Sequence, residues 1–224
     1  CFIRKESADL LPNTCLPIIV DNPYLCFAYT TNFFYPKRIS RGNISQNSSI
    51  HKNASISNNI EVGNYVTIAE NCSISKNVII ENNVIIDRGV NIGENTFIGN
   101  NCVISNSIIG KNSVIESGTI IGGSGFGFAP NEKISIEHIG NVIIGDNVKI
   151  GSNCTIDRAS IDSTIIEDNV RLDNLIQIAH GVKISLNSII AAQVGVAGST
   201  IIGSNCIIGG QAGISGHLKI GNNV

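Results

Sequence analysis

The chain has 224 residues, a formal net charge of −2 and a sequence pI of about 6.1, enough for one elongated domain and a small one. It contains no long basic run, which argues against a nucleic-acid partner, and no stretch approaching about 18 apolar residues, which argues against a membrane span. Its first residues lack the order of charged, apolar and small residues that marks a secretory signal peptide.

The first 38 residues contain no repeat and predict a small α/β subdomain. Leu16–Val20 has the aliphatic composition of a short strand and is followed by the turn sequence Asp-Asn-Pro. A helix is expected from about Tyr24 to Phe34, because the proline two residues later stops it. We therefore expect residues 1–38 to belong to a separate N-terminal domain, with a second domain over residues 39–224.

From residue 44 onward an aliphatic side chain returns at every sixth position. A helix repeats about every 3.6 residues and a strand about every two, so neither accounts for this spacing. A constant six-residue period is typical of hexapeptide β-helices, in which each hexad supplies one short strand and one turn. The first series is Ile44, Ile50, Ile56, Val62, Ile68, Ile74, Ile80, Ile86, Ile92, Ile98 and Ile104, and the last is Ile166, Leu172, Ile178, Ile184, Ile190, Val196, Ile202, Ile208, Ile214 and Ile220.

The other columns of the repeat predict how the coils close and stack. Three hexads make one triangular coil, and successive coils stack at the ~4.8 Å separation of parallel strands, with the lead aliphatics inside. Glycine and asparagine recur between the strands, where a positive φ angle excludes most side chains. Four of the seven cysteines share one column, which favours small buried thiols over disulfides or a metal site: Cys72, Cys102, Cys154 and Cys206.

The longest interruption of the period is an insertion at residues 122–141. A one-residue slip after Ile104 precedes it and is a minor loop adjustment. The insertion carries three alternating glycines and two aromatic side chains, Phe126 and Phe128. Such aromatic side chains are costly to leave in water, so we expect the loop to cover a ligand or a neighbouring subunit.

A further interruption follows Ile156, where ten residues lead to Ile166 in place of the twelve that two hexads would take. The spacing therefore predicts a locally shortened coil. Asp157 and Arg158 stand at its start, and a surface ion pair in a tight turn is the simplest interpretation of them.

The chain has only four histidines, and two of them lie in turns that face away from the core. His180 comes two residues after the lead residue Ile178, in a turn where Asn, Gly or Asp is usual. His217 follows 37 residues later, two coils plus one residue, so both imidazoles are expected on one side of the prism. A neutral imidazole is well suited to take a proton near pH 7. His51 is expected to be inert on an exposed turn, and the role of His138 stays open.

The positions around His180 supply the other candidate groups. Gly198 lies one coil further on, where a backbone N–H without a side chain beside it suits an oxyanion hole. Asp173, Asn174 and Gln177 precede His180 on its own coil. They are candidates to orient the imidazole or to bind hydroxyl-rich groups of a substrate.

Five segments resemble, in order, motifs of the UDP-3-O-acylglucosamine N-acyltransferase family of lipid A synthesis: GSGFGFAP, TIDRAS, LDNLIQIAH, VGVAGSTIIG and GISGHLKIG. The segment VDNPYLCFA is similar to the end of that family's N-terminal, uridine-binding domain, which would make residues 1–38 its C-terminal part. The resemblance implies a cytoplasmic homotrimer of left-handed parallel β-helices with active sites in the clefts between subunits. It also implies transfer of a 3-hydroxyacyl chain from acyl carrier protein to the 2-amino group of UDP-3-O-acylglucosamine.

The resemblance implies roles for individual residues as well. His180 would be the general base, the Gly198 N–H would hold the oxyanion, and His217 would be a second active-site residue. Asp173 and Asn174 would lie near the glucosamine. No metal, bound cofactor or covalent intermediate would be required, because the phosphopantetheine arm of the carrier delivers the acyl group.

Two family features are not found: the uridine-gripping pattern Phe-x-x-Asn-x-x-Tyr and the C-terminal helical segment associated with carrier contacts. The chain begins at Cys1 and stops in mid-hexad at Val224, so we expect a fragment of a longer protein, truncated at its C-terminal end.

Three other interpretations are weighed against this one. A sugar acyltransferase of a neighbouring branch, such as the first-step UDP-N-acetylglucosamine O-acyltransferase, is disfavoured by the long insertion. A metal-dependent hydratase would need three convergent histidines, and His180 and His217 have no close third partner in the repeat. A purely structural solenoid would show plain hexads without inserted loops.

Overall fold

The first of two compact units is a small α/β unit. The computed structural model describes all 224 residues, which divide into Cys1–Ile39 and Ser40–Val224. The first unit has parallel strands Phe2–Ile3 and Ile18–Ile19, a 3-10 helix Lys5–Leu10 and an α-helix Pro23–Phe34. The α-helix starts at Pro23, a residue type favoured at the first helical position, because the Asn22 side chain caps it by accepting from the Leu25 N–H at 3.0 Å. No helix combines the length and apolar character that crossing a membrane requires.

The second unit is a parallel β-helix, as the six-residue period predicts. Each strand pairs with the strand one coil away, which builds three sheets that form the faces of a prism. The first face consists of Ser49–Ile50, Thr67–Ile68, Ile85–Ile86, Val103–Ile104, Ile120–Gly123, Thr155–Asp157, Gln177–Ile178, Gly195–Val196 and Gly213–Ile214. The second face consists of Ser55–Ile56, Ser73–Ile74, Asn91–Ile92, Ser107–Ile109, Asn141–Ile144, Ser163–Ile166, Lys183–Ile184, Ile201–Ile202 and Lys219–Ile220. The third face consists of Glu61–Val62, Ile79–Ile80, Phe97–Ile98, Val114–Ile115, Lys149–Ile150, Arg171–Leu172, Ile189–Ile190 and Ile207–Ile208.

One residue of each strand builds the core and its neighbour faces outward, because side chains alternate along a strand. Ile86 is fully buried, whereas the preceding Ile85 is 47% exposed. The lead aliphatics form one continuous hydrophobic cluster from Ile60 to Ile208. A single coil cannot bury its own inner face, so each coil depends on its neighbours for stability.

The turns hold residues with positive φ, and most of those that are not glycine are asparagine. Asparagine tolerates this conformation better than most side chains. The side-chain amides also bond from coil to coil: Asn59 donates to Asn77 at 2.7 Å, and Asn77 donates to Asn95 at 2.9 Å. The predicted role of asparagine in the turns is confirmed.

The cysteine column is part of the core, as predicted. Cys72, Cys102, Cys154 and Cys206 are free thiols with at most 1% exposure. Each donates to a carbonyl of the next coil, as Cys154 Sγ does to Asp173 O at 3.1 Å. Burial raises the pKa of the Cys72, Cys102 and Cys154 thiols, which keeps them protonated and unreactive at neutral pH.

The interruptions of the period all stack at one corner, between the first and second faces. We call it the insertion corner. It comprises residues 105–106, 124–140, 158–162, 179–182, 197–200 and 215–218 on successive coils. Longer strands flank the two insertions and pair with each other, Gly123 with Asp157 and Asn141 with Ser163.

The interruption after Ile156 is an insertion, and the predicted shortening of the coil is wrong. Ile156 lies on the first face and Ile166 on the second face, so the ten residues replace one hexad rather than two. The extra residues widen this coil because their strands extend to pair with the strands that flank the long insertion.

The alternation of inward and outward side chains predicts unequal effects of two matched substitutions on one strand. Ile86→Ala should lower the free energy of unfolding by about 2–5 kcal/mol, because it leaves a cavity in the continuous core. Ile85→Ala removes the same atoms from the outer surface and should change stability by less than about 1 kcal/mol. Urea unfolding followed by circular dichroism measures both; equal losses would contradict the assignment.

Candidate active site

His180 and Gly198 meet at the insertion corner on neighbouring coils. A methyl group placed on Gly198 would stand 2.7 Å from Cε1 and 2.8 Å from Nε2 of His180. Real Cβ atoms do not approach other atoms so closely, so the imidazole lies directly against the glycine backbone. The coils are also joined here by the backbone, since the Ser199 N–H donates to the His180 carbonyl at 3.0 Å. A side chain at position 198 would displace the imidazole from this position.

The backbone N–H of Gly198 donates to no acceptor within the chain. Its carbonyl, in contrast, accepts from the His217 N–H at 3.0 Å. An unpaired backbone N–H next to an imidazole is a donor that a bound oxyanion can use.

His217 lies at the same corner, on the coil beyond Gly198. It is exposed and has a φ angle of +59°. On the coil of His180 the corresponding left-handed position is held by Gly181, with a φ angle of +68°. The residue that takes the special turn conformation is therefore Gly181, one position after the histidine.

His138 is a buried member of the site whose part the sequence left open. It is 2% exposed and packs against His180 with 5.2 Å between ring centroids and 66° between ring planes. Its Nδ1 bonds to the Ile136 carbonyl at 3.0 Å, which requires the proton on Nδ1, while Nε2 is buried without a partner. Methyl groups on Gly125 or Gly127 would stand 2.8 Å or 2.9 Å from this ring, so the glycines of the insertion make room for it. In the sequence, the only indication of this role is that His138 lies near the end of the longest insertion.

Asp157, Gln177 and Thr155 form a polar cluster on the first face next to the corner. Gln177 Nε2 donates to Asp157 Oδ2 at 2.9 Å, and Gln177 Oε1 accepts from Thr155 Oγ1. Burial raises the pKa of Asp157, while the Gln177 hydrogen bond and the nearby His138 act in the opposite direction. Gln177 is thus held by two partners of its own face.

Arg158 joins the two insertions instead of pairing with Asp157. Its backbone N–H donates to the Gly123 carbonyl at 2.9 Å, and its guanidinium donates to Ser124 Oγ at 3.3 Å. Its Nε is buried without a partner. The surface ion pair expected from the sequence is therefore not formed.

The surroundings favour the neutral form of His180. Burial lowers its pKa, and repulsion from His138 and His217 lowers it further. A histidine with a lowered pKa is unprotonated at pH 7, as a general base must be.

Asp173 and Asn174 lie at the opposite edge of the first face, at its corner with the third face. Asp173 Oδ1 accepts from the Asn174 N–H at 2.8 Å, and Asn174 Oδ1 accepts from the Ser152 N–H at 2.8 Å. Within one chain these side chains therefore bond at their own corner and do not orient His180.

Two concave surfaces flank the His180–Gly198 pair. On the first face a groove of about 510 Å³ is lined by small and apolar residues beside the histidine turn: Gln177, Ala179, Gly195, Val196, Ala197, Gly213, Ile214 and Ser215. On the insertion a cavity of about 490 Å³ is lined partly by Phe126 and Phe128, whose rings pack edge to face with centroids 5.0 Å apart. Phe126 is 85% exposed and Phe128 37%, so the tip of the insertion presents aromatic surface to solvent.

No group of three or more His, Cys, Asp or Glu side chains is arranged to hold a metal ion. The arrangement can instead support proton abstraction and oxyanion binding. A neutral imidazole with an unpaired N–H beside it supplies these two functions, and the groove on the first face begins at the neighbouring residues Ala179 and Ala197.

Two protein-family models match the second unit. One is described as the GMPPB C-terminal domain and matches residues 44–127, and the other, as the hexapeptide repeat of succinyl-transferase, matches residues 141–174.

Curated proteins named UDP-3-O-acylglucosamine N-acyltransferase are similar to this chain. UDP-3-O-acylglucosamine N-acyltransferase 2 from Legionella pneumophila is 52% identical over 205 residues, which cover 91% of this chain and 60% of that protein. UDP-3-O-acylglucosamine N-acyltransferase from Hahella chejuensis is 49% identical over 88 residues, which cover 38% of this chain and 25% of that protein. The chain thus spans at most about 60% of the length of these relatives.

Solved structures share the β-helix at lower identity. LpxA from Acinetobacter baumannii is 25% identical with a TM-score of 0.61, and UDP-N-acetylglucosamine O-acyltransferase from Moraxella catarrhalis is 26% identical with a TM-score of 0.58. Each match covers 80% of this chain and 62% of that chain.

The environment of His180 predicts how its titration and the stability of the fold depend on pH. Because burial lowers its pKa, the imidazole should titrate below 6.5 in the native protein. The unfolded chain then binds the proton more tightly, so the stability linked to His180 is fully present above about pH 6.5 and is lost as the pH falls from there through the lowered native pKa. NMR titration of the imidazole, assigned with His180→Gln, measures the native pKa, and urea unfolding between pH 5 and 8 measures the stability. A native pKa of His180 at or above 6.5 would show that burial does not lower this pKa.

Proposed function

Because this chain is a homologue of proteins named UDP-3-O-acylglucosamine N-acyltransferase and carries their hexapeptide repeat, we propose that it catalyses that N-acyl transfer. The acceptor is the 2-amino group of UDP-3-O-acylglucosamine, and the donor is a 3-hydroxyacyl thioester on the phosphopantetheine arm of acyl carrier protein. The observation that carries the proposal is the packing of the His180 imidazole against Gly198, whose N–H is unpaired.

The chemistry follows from this pair. His180 takes a proton from the amine as its nitrogen attacks the thioester carbonyl, and the Gly198 N–H donates to the oxyanion that forms. The tetrahedral intermediate then collapses, the carbon–sulfur bond breaks, and the imidazolium returns its proton to the leaving thiolate. The products are an amide and the free thiol of the carrier, so no covalent enzyme intermediate is formed.

The groove on the first face fits the acyl chain of the donor. Gln177, Gly195 and Gly213 occupy the same strand position on three successive coils, and the two glycines leave the groove open there. Ala179 and Ala197 line the end of the groove next to His180 and Gly198. Phe126 and Phe128 add apolar surface on the other side of the corner. His217 is then a second active-site residue, next to the oxyanion donor.

Asp173 and Asn174 support an active site between subunits. They occupy the edge of the first face opposite His180, so one chain does not bring them to the reacting amine. In the homotrimer that we propose, a neighbouring subunit supplies them to the glucosamine beside His180. A cytoplasmic location fits the proposed donor, acyl carrier protein.

The alternative is transfer to the hydroxyl of UDP-N-acetylglucosamine, because similar solved structures carry that enzyme's name. The N-acyltransferase is favoured since the identity to proteins of that name is about twice as high.

A transfer assay with both acceptors tests the proposal. The full-length protein, given 3-hydroxyacyl carrier protein, should acylate UDP-3-O-acylglucosamine and leave UDP-N-acetylglucosamine unchanged. His180→Ala should lower kcat at least about 100-fold through loss of the general base, and His51→Ala, on an exposed turn, should not change it. Activity of His180→Ala within tenfold of wild type would remove His180 as the base.

Gly198 offers a second test, because a side chain at this position would displace the imidazole. Gly198→Ala should lower kcat/KM about 100-fold or more, since the new methyl group pushes His180 away from the oxyanion donor. Gly209→Ala is the matched control, because a methyl group there meets nothing within 4 Å. Both variants should show the circular dichroism of the wild type; similar activities for the two would contradict the proposed role of Gly198.

A further inference from the structure

His138 is the buried imidazole of the insertion corner that the proposed mechanism does not use. Its Nδ1 proton is committed to the Ile136 carbonyl, so its Nε2 carries a lone pair and can only accept. That nitrogen is buried and has no partner. Buried polar atoms are paired in the great majority of cases, so this acceptor is available to a donor on a neighbouring side chain.

The free lone pair lies beside His180. A methyl group on Gly125 would stand 2.8 Å from His138 Nε2 and 2.9 Å from His180 Cβ, so both atoms border the same point. The two rings are in contact at a centroid distance of 5.2 Å, and no hydrogen bond joins them in the resting state. A neutral His180 has one N–H, whereas an imidazolium has two.

We propose that His138 is a positioning residue whose Nε2 accepts a hydrogen bond from the imidazolium form of His180 during acyl transfer. The inference rests on the proposed function, in which His180 takes the proton of the amine. The ring nitrogen of His180 that does not take this proton then donates to His138. That nitrogen already carries the N–H of the neutral imidazole, so the bond becomes charge-assisted when the imidazolium forms, and it then stabilises the tetrahedral intermediate more than the resting state.

The other charged and titratable groups of the corner are compatible with this role. Asp157, at the end of a strand of the first face, lies near His138, which acts to lower the pKa of Asp157. Repulsion from His138, and from His217 on the coil beyond Gly198, disfavours charge on His180, so the proposed bond requires His138 to stay neutral when His180 is protonated. The Arg158 guanidinium donates to Ser124 Oγ. With its Nδ1 proton bonded to the Ile136 carbonyl, a neutral His138 offers Nε2 as the acceptor.

Three substitutions separate the acceptor from the packing of the ring. His138→Gln keeps an acceptor and a donor for the Ile136 carbonyl. His138→Leu keeps bulk and has neither. His138→Phe keeps a ring against Gly125 and Gly127 without a nitrogen, so it shows whether an effect of His138→Leu comes from lost packing.

We expect His138→Leu and His138→Phe to lower kcat about 10- to 100-fold with KM within about twofold, and His138→Gln to stay within about threefold of wild type. By NMR, the pKa of His180 should be higher in His138→Gln than in His138→Leu, because only the amide accepts from the imidazolium. Equal kcat and equal His180 pKa in these two variants would overturn the proposal. If the wild-type protein does not acylate UDP-3-O-acylglucosamine, the proposed function fails, and the NMR comparison still decides whether His138 accepts from His180.

Discussion

The backbone ladder between coils is the constraint on which the rest of the structure depends. Each strand donates to the coil beyond it, as the Gln177 N–H does to the Val194 carbonyl at 3.1 Å and the Gly195 N–H does to the Ala212 carbonyl at 3.0 Å. These bonds fix the register, because a slip of one residue would turn every lead aliphatic out of the core. A turn on one coil therefore stands directly over the same turn of the coil before it.

The insertion corner uses this register to build a site from residues far apart in sequence. His180 stands between the long insertion and the turn of Gly198, and glycines at 125 and 198 remove the side chains that would displace it. Elsewhere on the prism, asparagine occupies most of the left-handed turn positions that are not glycine. The same ladder that stabilises the fold thus holds a half-buried imidazole against a free N–H.

The fold follows from the sequence because one local rule repeats through the chain, and the lead positions, turn asparagines and buried cysteines obey it. The spacing of His180 and Gly198 follows from the same rule. The sequence does not show the length of the coil after Ile156, since ten residues fit either one widened hexad or two shortened ones. It also does not show the packing of His138 or the partners of Arg158, because an irregular loop is placed by contacts that no period encodes.

The central claim is that His180 and Gly198 together hold the reacting atoms of an acyl transfer. A crystal structure of the full-length protein with UDP-3-O-acylglucosamine and an unreactive acyl-thioether analogue of the carrier arm tests it directly. The account predicts the 2-amino nitrogen within about 3.2 Å of an imidazole nitrogen of His180. It also predicts that the Gly198 N–H points at the carbonyl position. An amine bound in another cleft, out of reach of His180, would contradict the account.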